Sequence, residues 1–444
     1  MDGNTSLDRF FVDLFYSIRV GWYLINILMK VGIIGGGIIG LSAAYYLNRA
    51  GHQVTIIDQG DLTVGCSTGN AGMIVPSHLI PLAAPGMISK GIRWMFNSSS
   101  PFYVKPRLSG DLIKWGYHFY KSATKEHVAR SAFALKEISL LSKAMYQEMA
   151  RDLPFDFGYQ ERGLLMLYQT KETEHEEVET AKLANRHGIE AQIISAADVQ
   201  KLEPEIKVSA RGGVYFPGDA HLTPQVLMSQ LISYLKEGGV IFQTSTAVKD
   251  FVLEEEKIKI IKTSQGDLAF DEVVMALGSW SGLMSSKVGL SLPMQAGKGY
   301  SFTLDNLTKN VRIPSIFLEA RVAVTPMSNS LRFGGTMEIT GIDHSINMNR
   351  VKGIVNSIPR YYPEMKVEIP KMEDVWHGLR PCSPDGMPFI GRSEKLKNLI
   401  VATGHSMMGL SLGSGTGKLV SELVSHEKTS IELKPFDPER FDKG

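Results

Sequence analysis

The chain is short of cysteine: Cys66 and Cys382 are the only two in 444 residues. They form no C-x-x-C pair. A disulfide framework, a zinc cluster and a dithiol redox couple are therefore excluded, and the usage fits a reducing compartment. Charge is nearly balanced, with a formal net charge of +1, so no basic field draws the chain to nucleic acid. There is no internal repeat and no low-complexity tract. A single apolar run reaches membrane-spanning length, the twenty residues "FFVDLFYSIRVGWYLINILM", Phe10 to Met29. Within it Asp13 and Arg19 would each cost about 3 kcal/mol at mid-membrane. It has no basic n-region and no small-residue cleavage site, which argues against a secretory signal. Three readings of residues 1–28 stay open: an over-extended start ahead of Met29, an interfacial or membrane anchor, or a helix packed on the protein.

Glycine is plentiful, at 43 residues, which suits tight loops around a cofactor. The segment "KVGIIGGGIIGLSAAYYLNRAGHQVTIID", Lys30 to Asp58, reads as strand, glycine turn, helix and second strand. Gly35, Gly37 and Gly40 hold the G-x-G-x-x-G spacing. The first permits the turn, the second lets backbone approach a pyrophosphate, and the third lets helix and strand pack closely. Ile38 and Ile39 open the helix whose N-terminus faces the phosphates. Asp58, ending the second strand, stands where an acid accepts ribose hydroxyls.

The loop "GDLTVGCSTGNAGMIVP", Gly60 to Pro76, is long, polar and built of small residues. Ser67, Thr68, Asn70, Ala71 and Gly72 supply backbone donors with little bulk, as the edge of a large flat ring requires. Downstream, Val248 falls where a strand crosses toward an adenine. The strand Val273 to Leu277 runs into Gly278 at the carboxyl edge of the sheet, a natural second contact with a dinucleotide. Near the C-terminus, "NLIVATGHSMMGLSLGSGTGKLVSELVS" reads as a strand, a glycine-rich loop carrying Gly404 and Gly409, and a helix from near Gly415. Its "GSGTGKL" is not a nucleoside-triphosphate loop. Leu412 stands in place of the first glycine and Leu419 in place of the Mg²⁺-binding Ser or Thr. No second G-x-G-x-x-G unit exists to make a separate nicotinamide domain.

The remaining sequence changes character. Asp111 to Asp152 is helical by period. "GLLMLY", "GKGYSFTL", "IFLEARVAVTP" and "LRFGGTME" read as strands, several alternating with period two. The expectation is an α/β chain. An FAD-binding Rossmann-like domain (29–80, 190–285 and 371–444) is interleaved with a mostly antiparallel α+β substrate domain (81–189 and 286–370), after the apolar extension 1–28. One feature of "HGLRPCSPDGMPFIGR", His377 to Arg392, stands out. Arg380 is a permanent cation among apolar neighbours, and such an arginine usually holds an anion.

Together these pieces resemble the flavoprotein superfamily of D-amino acid oxidase, glycine oxidase and sarcosine oxidase. Within it the D-amino acid dehydrogenase catalytic subunits are most similar. The resemblance runs from Met29 to the C-terminus. It rests on "STGNAG" followed by "PLAAPG", on "GIRWMF" (Gly91 to Phe96), "KGYSFTL" and "GLRPCSPDGMPFIGR", and on "TGHSMMG" with "GSG". It implies non-covalent FAD, a small amino acid substrate, and oxidation of a D-amino acid to a 2-oxo acid and ammonia by hydride transfer from the α-carbon. Electrons would pass to a quinone or respiratory acceptor. A cytoplasmic protein, in peripheral contact with the inner face of the cell membrane, follows from the same likeness. The alternative within the fold is a cyclic imino acid substrate such as D-proline or cis-4-hydroxy-D-proline, or a glycine or sarcosine oxidase using O₂.

In the glycine oxidase pattern the arginine of G-L-R-P pairs with the substrate carboxylate, which implies that role for Arg380. A second arginine of that pattern is replaced here by His405, Ser406, Met407 and Met408, so a neutral donor is needed, with Tyr300 of "KGYS" as the candidate. His405 is implied as a flavin neighbour rather than a base. Some sarcosine oxidases link FAD to a cysteine in the region of Cys382; an inert buried thiol is the other reading. No metal site is expected.

Overall fold

The computed structural model describes residues 28–86, 102–105, 107 and 109–442. Most of the apolar segment Phe10 to Met29 and all of Gly91 to Phe96 fall outside those residues.

The strand Lys30–Ile34 is buried along four of its five residues, as a parallel strand covered on both faces must be. It is central to a six-stranded sheet. In order, the sheet runs Phe389–Arg392, Leu399–Thr403, Glu272–Met275, Lys30–Ile34, Gln53–Ile57 and Ile241–Gln243. All pairs are parallel except the edge pair Phe389–Arg392 with Leu399–Thr403. The helix Ile38–Arg49 covers one face, and small residues let it be covered in turn. A Cβ on Gly40 would meet the Gly35 carbonyl oxygen at 1.9 Å. A Cβ on Gly417, in the helix Gly413–Val424, would fall 2.4 Å from the backbone of Ser42.

A second large sheet has nine strands. From Trp376–Cys382 it runs through Gln295–Leu304, Ser330–Ile339, Val322–Met327, Ser315–Phe317, Leu164–Tyr168 and Gly212–Phe216 to Gln192–Ser195, with Phe102–Val104 beside Ser330–Ile339. It is antiparallel apart from two parallel pairs. A three-stranded sheet of Val248–Glu254, Lys257–Thr263 and Gly266–Leu268 and a two-stranded pair, Met73–Ile74 with Ala220–His221, complete the described sheets, and this mixed α/β make-up is what the sequence pattern implied.

Two details differ from that pattern. The helical stretch Asp111 to Asp152 is two helices, Gly110–Ser122 and Lys125–Asp152. The hydroxyl of Thr124 caps the second by accepting from the His127 N–H at 3.1 Å. The strands Gln192–Ser195, Gly212–Phe216 and Trp376–Cys382, grouped by sequence position with the dinucleotide unit, pair instead in the nine-stranded sheet. The last of these carries Arg380 across to the second sheet.

Candidate active site

A cavity of about 1190 Å³ lies between the two large sheets, lined by both. Its first wall is the glycine turn. Gly35 has φ +110° and a Cβ there would meet the Ala276 carbonyl oxygen at 2.4 Å, so only glycine fits. The following helix begins at Gly37 with no side-chain cap, leaving a helix N-terminus at the cavity wall suited to an anion. Ser67 is folded back on it and accepts from the Ile38 N–H at 3.0 Å. The Asp58 carboxylate accepts from the N–H groups of Gly36 at 2.7 Å and Gly60 at 2.8 Å. That fixes it at the cavity edge with lone pairs to spare for hydroxyls.

Most of the sequence-predicted cofactor residues line this one cavity: Gly35, Gly37, Ile38, Ile39, Asp58, Ser67, Thr68, Asn70, Ala71, Val248, Gly278 and Gly409. Gly40, Gly72 and Gly404 do not. Gly40 serves helix–strand packing. Gly72 and Gly404 have positive φ and sit against Leu222 and Phe389 respectively.

The small-residue loop is clamped from the second sheet. Ser301 donates to the Gly69 carbonyl at 2.8 Å. Arg332 donates to the carbonyls of Thr68 at 3.0 Å and Asn70 at 2.9 Å. Burial lowers the Arg332 pKa to about 10, still leaving it a cation at neutral pH. The Trp376 indole lies against Gly69, where a Cβ would be 2.0 Å from the ring, and donates to the Gly65 carbonyl at 3.1 Å. Sequence reasoning missed Arg332 and Trp376. The signal for Arg332 is the one that marked Arg380, a cation between apolar residues ("LRF").

Arg380 also lines the cavity. Its guanidinium lies over the backbone of Gly299, where a Cβ would be 2.0 Å from Nη1 and 2.4 Å from Cζ. Nη1 donates to the Thr336 carbonyl at 2.8 Å. No carboxylate of the described residues pairs with Arg380, although the fold pairs deeply buried cations, such as Arg350 with Glu338 at 3.1 Å. Burial lowers the Arg380 pKa from its usual value. A planar cation held by one carbonyl and facing a cavity is complementary to an incoming carboxylate.

The structure does not bring the Tyr300 hydroxyl to that point. Strand parity puts Gly299 and Ser301 on the face of Arg380 and Trp376, and Tyr300 on the other. There its hydroxyl donates to Glu338 at 2.5 Å and accepts from the Asn347 N–H at 3.2 Å. Burial, then the Glu338 carboxylate, raise its pKa, so it stays protonated. Tyr300 thus reaches the cavity wall with its hydroxyl already committed.

His405 also lines the cavity. Burial holds its pKa down to about 3, so it is neutral. The Thr416 hydroxyl gives its proton to the Leu412 carbonyl at 2.8 Å and so accepts from His405 Nε2 at 3.0 Å. That fixes the tautomer and leaves Nδ1 without the proton. Cys382 is fully buried and is not among the cavity-lining residues. Cys66 lines the cavity, but its thiol is engaged with Leu379, donating to the carbonyl at 3.1 Å and accepting from the N–H at 3.0 Å. Among the described residues no group of three or more His, Cys, Asp or Glu could hold a metal ion.

A dinucleotide cradle, a small-residue loop and an arginine without a carboxylate partner among the described residues share one cavity. A model of the family described as FAD dependent oxidoreductase matches residues 30–423, and the chain belongs to that family. Its cofactor is FAD. The chain is 30% identical over 411 residues to a D-amino acid dehydrogenase of Granulibacter bethesdensis, covering 91% of this chain and 97% of the relative. It is 30% identical over 420 residues to one of Neisseria meningitidis, covering 93% and 100%. Its fold is similar to that of glycine oxidase from Geobacillus kaustophilus, with a TM-score of 0.74 at 24% identity, covering 93% of this chain and 98% of that one. It is also similar in fold to L-proline dehydrogenase from P. horikoshii, with a TM-score of 0.71 at 20% identity, covering 94% and 98%.

Proposed function

We propose that this enzyme oxidises D-amino acids to imino acids, which water converts to 2-oxo acids and ammonia, and that it passes the electrons to a quinone or another respiratory acceptor. The observation that carries the reading is Arg380: half-buried, without a carboxylate partner among the described residues, and facing the same cavity as the dinucleotide turn. Bound FAD supplies the two-electron acceptor to which a hydride from the substrate α-carbon goes. The protein's share is orientation. Arg380 grips the carboxylate with a planar fork, which restricts rotation of the α-carbon and so aims its hydrogen. Gly299 gives that fork its place. Neutral His405, held by Thr416, adds no charge to the site. The apolar side chains of Met337, Leu410 and Met408 in the cavity wall suit a substrate side chain.

The names of the relatives in Granulibacter and Neisseria support the D-amino acid class and a non-oxygen acceptor. We place the enzyme in the cytoplasm, in peripheral contact with the membrane that holds the acceptor. Among the described residues no helix is long and apolar enough to cross a membrane. The test is a paired assay of purified holoenzyme with D-alanine and D-proline, following reduction of a short-chain quinone and formation of peroxide. Quinone reduction with little peroxide is expected. Rapid peroxide formation without quinone reduction would replace the dehydrogenase reading by an oxidase.

A further inference from the structure

With Tyr300 committed to Glu338, Arg380 is left without a second donor beside it, and the strand that accepts its hydrogen bond supplies one. Lys298 pairs with Glu338 and Tyr300 with Gly335, so Thr336 and Met337 together oppose Gly299 alone. Two residues against one is a β-bulge, a device that re-aims side chains next to sites. Thr336 has φ +65°. Among the described non-glycine residues with positive φ it is the only β-branched one, and such a residue disfavours that backbone most. The conformation turns its carbonyl onto Arg380 at 2.8 Å.

The hydroxyl of Thr336 is the second observation, independent of the backbone. Among the described residues seven buried side-chain polar atoms have no hydrogen-bond partner, and Thr336 Oγ1 is the only one that belongs to a cavity-lining residue. Three other polar side chains that line the cavity are already engaged: Ser301 with Gly69, Trp376 with Gly65, Ser279 with the Leu379 carbonyl at 2.8 Å. A buried hydroxyl without a partner calls for an explanation. Thr336 Oγ1 is thus a donor still available on the cavity wall.

We infer that Thr336 is a substrate-positioning residue, whose hydroxyl donates to the substrate carboxylate beside the Arg380 fork while its carbonyl holds that fork in place. The inference rests on the carboxylate reading of Arg380. A carboxylate has about four acceptor sites, so it can take the guanidinium and a hydroxyl together.

The experiment compares Thr336→Val, Thr336→Ser and Arg380→Leu as FAD-loaded enzymes. The probes are acetate and benzoate, carboxylates that cannot be oxidised, with binding read from the flavin absorbance spectrum, and KM and kcat measured for D-alanine. Thr336→Val keeps the β-branched shape and removes only the hydroxyl. It should weaken probe binding and raise KM about tenfold, the scale of one hydrogen bond to a charged group. Its melting temperature should not fall, because the hydroxyl has no partner in the free protein. Thr336→Ser should bind the probes near the wild-type value. Unchanged probe affinity in Thr336→Val, or equal losses in Val and Ser, overturns the hydroxyl's role. A lower melting temperature with unchanged affinity does so too and makes Thr336 structural. If Arg380→Leu also binds the probes normally, the carboxylate reading itself fails; if only Arg380→Leu weakens them, Thr336 alone is wrong.

Discussion

The substitution Gly299→Ala separates binding from stability at this site. A Cβ at position 299 would lie 2.0 Å from Nη1, 2.2 Å from Nη2 and 2.4 Å from Cζ of Arg380. All three nearest atoms belong to the far end of one flexible side chain, so it is the guanidinium that must move, and not the backbone. Gly299 is not among the glycines of positive φ. Alanine therefore fits the strand and removes some unfolded-state freedom, a gain of about 0.5–1 kcal/mol. The displaced guanidinium gives up its bond to the Thr336 carbonyl, which offsets that gain, so the melting temperature should stay nearly level. The carboxylate loses its aligned fork. A hydrogen bond to a charged group is worth about 1.5–3 kcal/mol, so KM should rise about ten- to a hundredfold. The assay is steady-state dye reduction with D-alanine, beside thermal melts and the flavin spectrum. A holoenzyme with unchanged KM would refute the claim that Arg380 binds substrate from its place over Gly299. A large fall in melting temperature would show that backbone had to yield instead.

Further outcomes follow from the same geometry. Arg380→Leu should retain FAD and raise KM by about tenfold or more, and Arg380→Lys should rescue only in part, because an ammonium lacks the planar fork; kinetics on the two variants checks both. Acid precipitation should release the yellow colour into the supernatant, since Cys382 is buried away from the cavity lining and Cys66 is engaged with Leu379; colour in the pellet would contradict this. His405 has its pKa lowered by burial from 6.5 to about 3, so below pH 6.5 the unfolded chain takes up a proton that the folded one refuses. Its contribution is fully present above pH 6.5 and is lost as pH falls toward 3, by at most about 1.4 kcal/mol per pH unit. Urea melts of wild type and His405→Asn should then show the shallower acid dependence in the variant, and parallel curves would contradict it. A chain beginning at Met29 should fold, bind FAD and reduce a dye, because the first strand starts at Lys30; fractionation of both forms against membranes then reads what residues 1–28 add to attachment.

The dinucleotide half was legible because its chemistry is local. The turn at Gly35, the close approach at Gly40 and the acid at Asp58 are each demanded by backbone within one strand–helix–strand unit. The place of Arg380 on the cavity wall was legible for a similar reason, a cation in an apolar run. Tyr300 was misleading because its motif gives no strand parity. The hydroxyl lies on the far face, with Glu338, and only the pairing with Trp376–Cys382 reveals that. The contact of Thr336 depends on a bulge between two strands distant in sequence, so nothing in "LRFGGTME" announces it. The grouping of Gln192–Ser195, Gly212–Phe216 and Trp376–Cys382 erred because an apolar strand does not state which sheet it joins. Arg332 could have been found, since it carries the same signal as Arg380.

The most direct test of the account is anaerobic mixing of the purified enzyme with a panel of D-, L- and N-methyl amino acids, followed at the flavin absorbance, in wild type and Arg380→Leu. The account predicts rapid bleaching of wild type by D-amino acids and little by their L-enantiomers. It also predicts that the substrate concentration needed rises about ten- to a hundredfold in the variant. Bleaching by L- or N-methyl amino acids in preference to D-amino acids, or an Arg380→Leu enzyme reduced at the same substrate concentration as wild type, would contradict it.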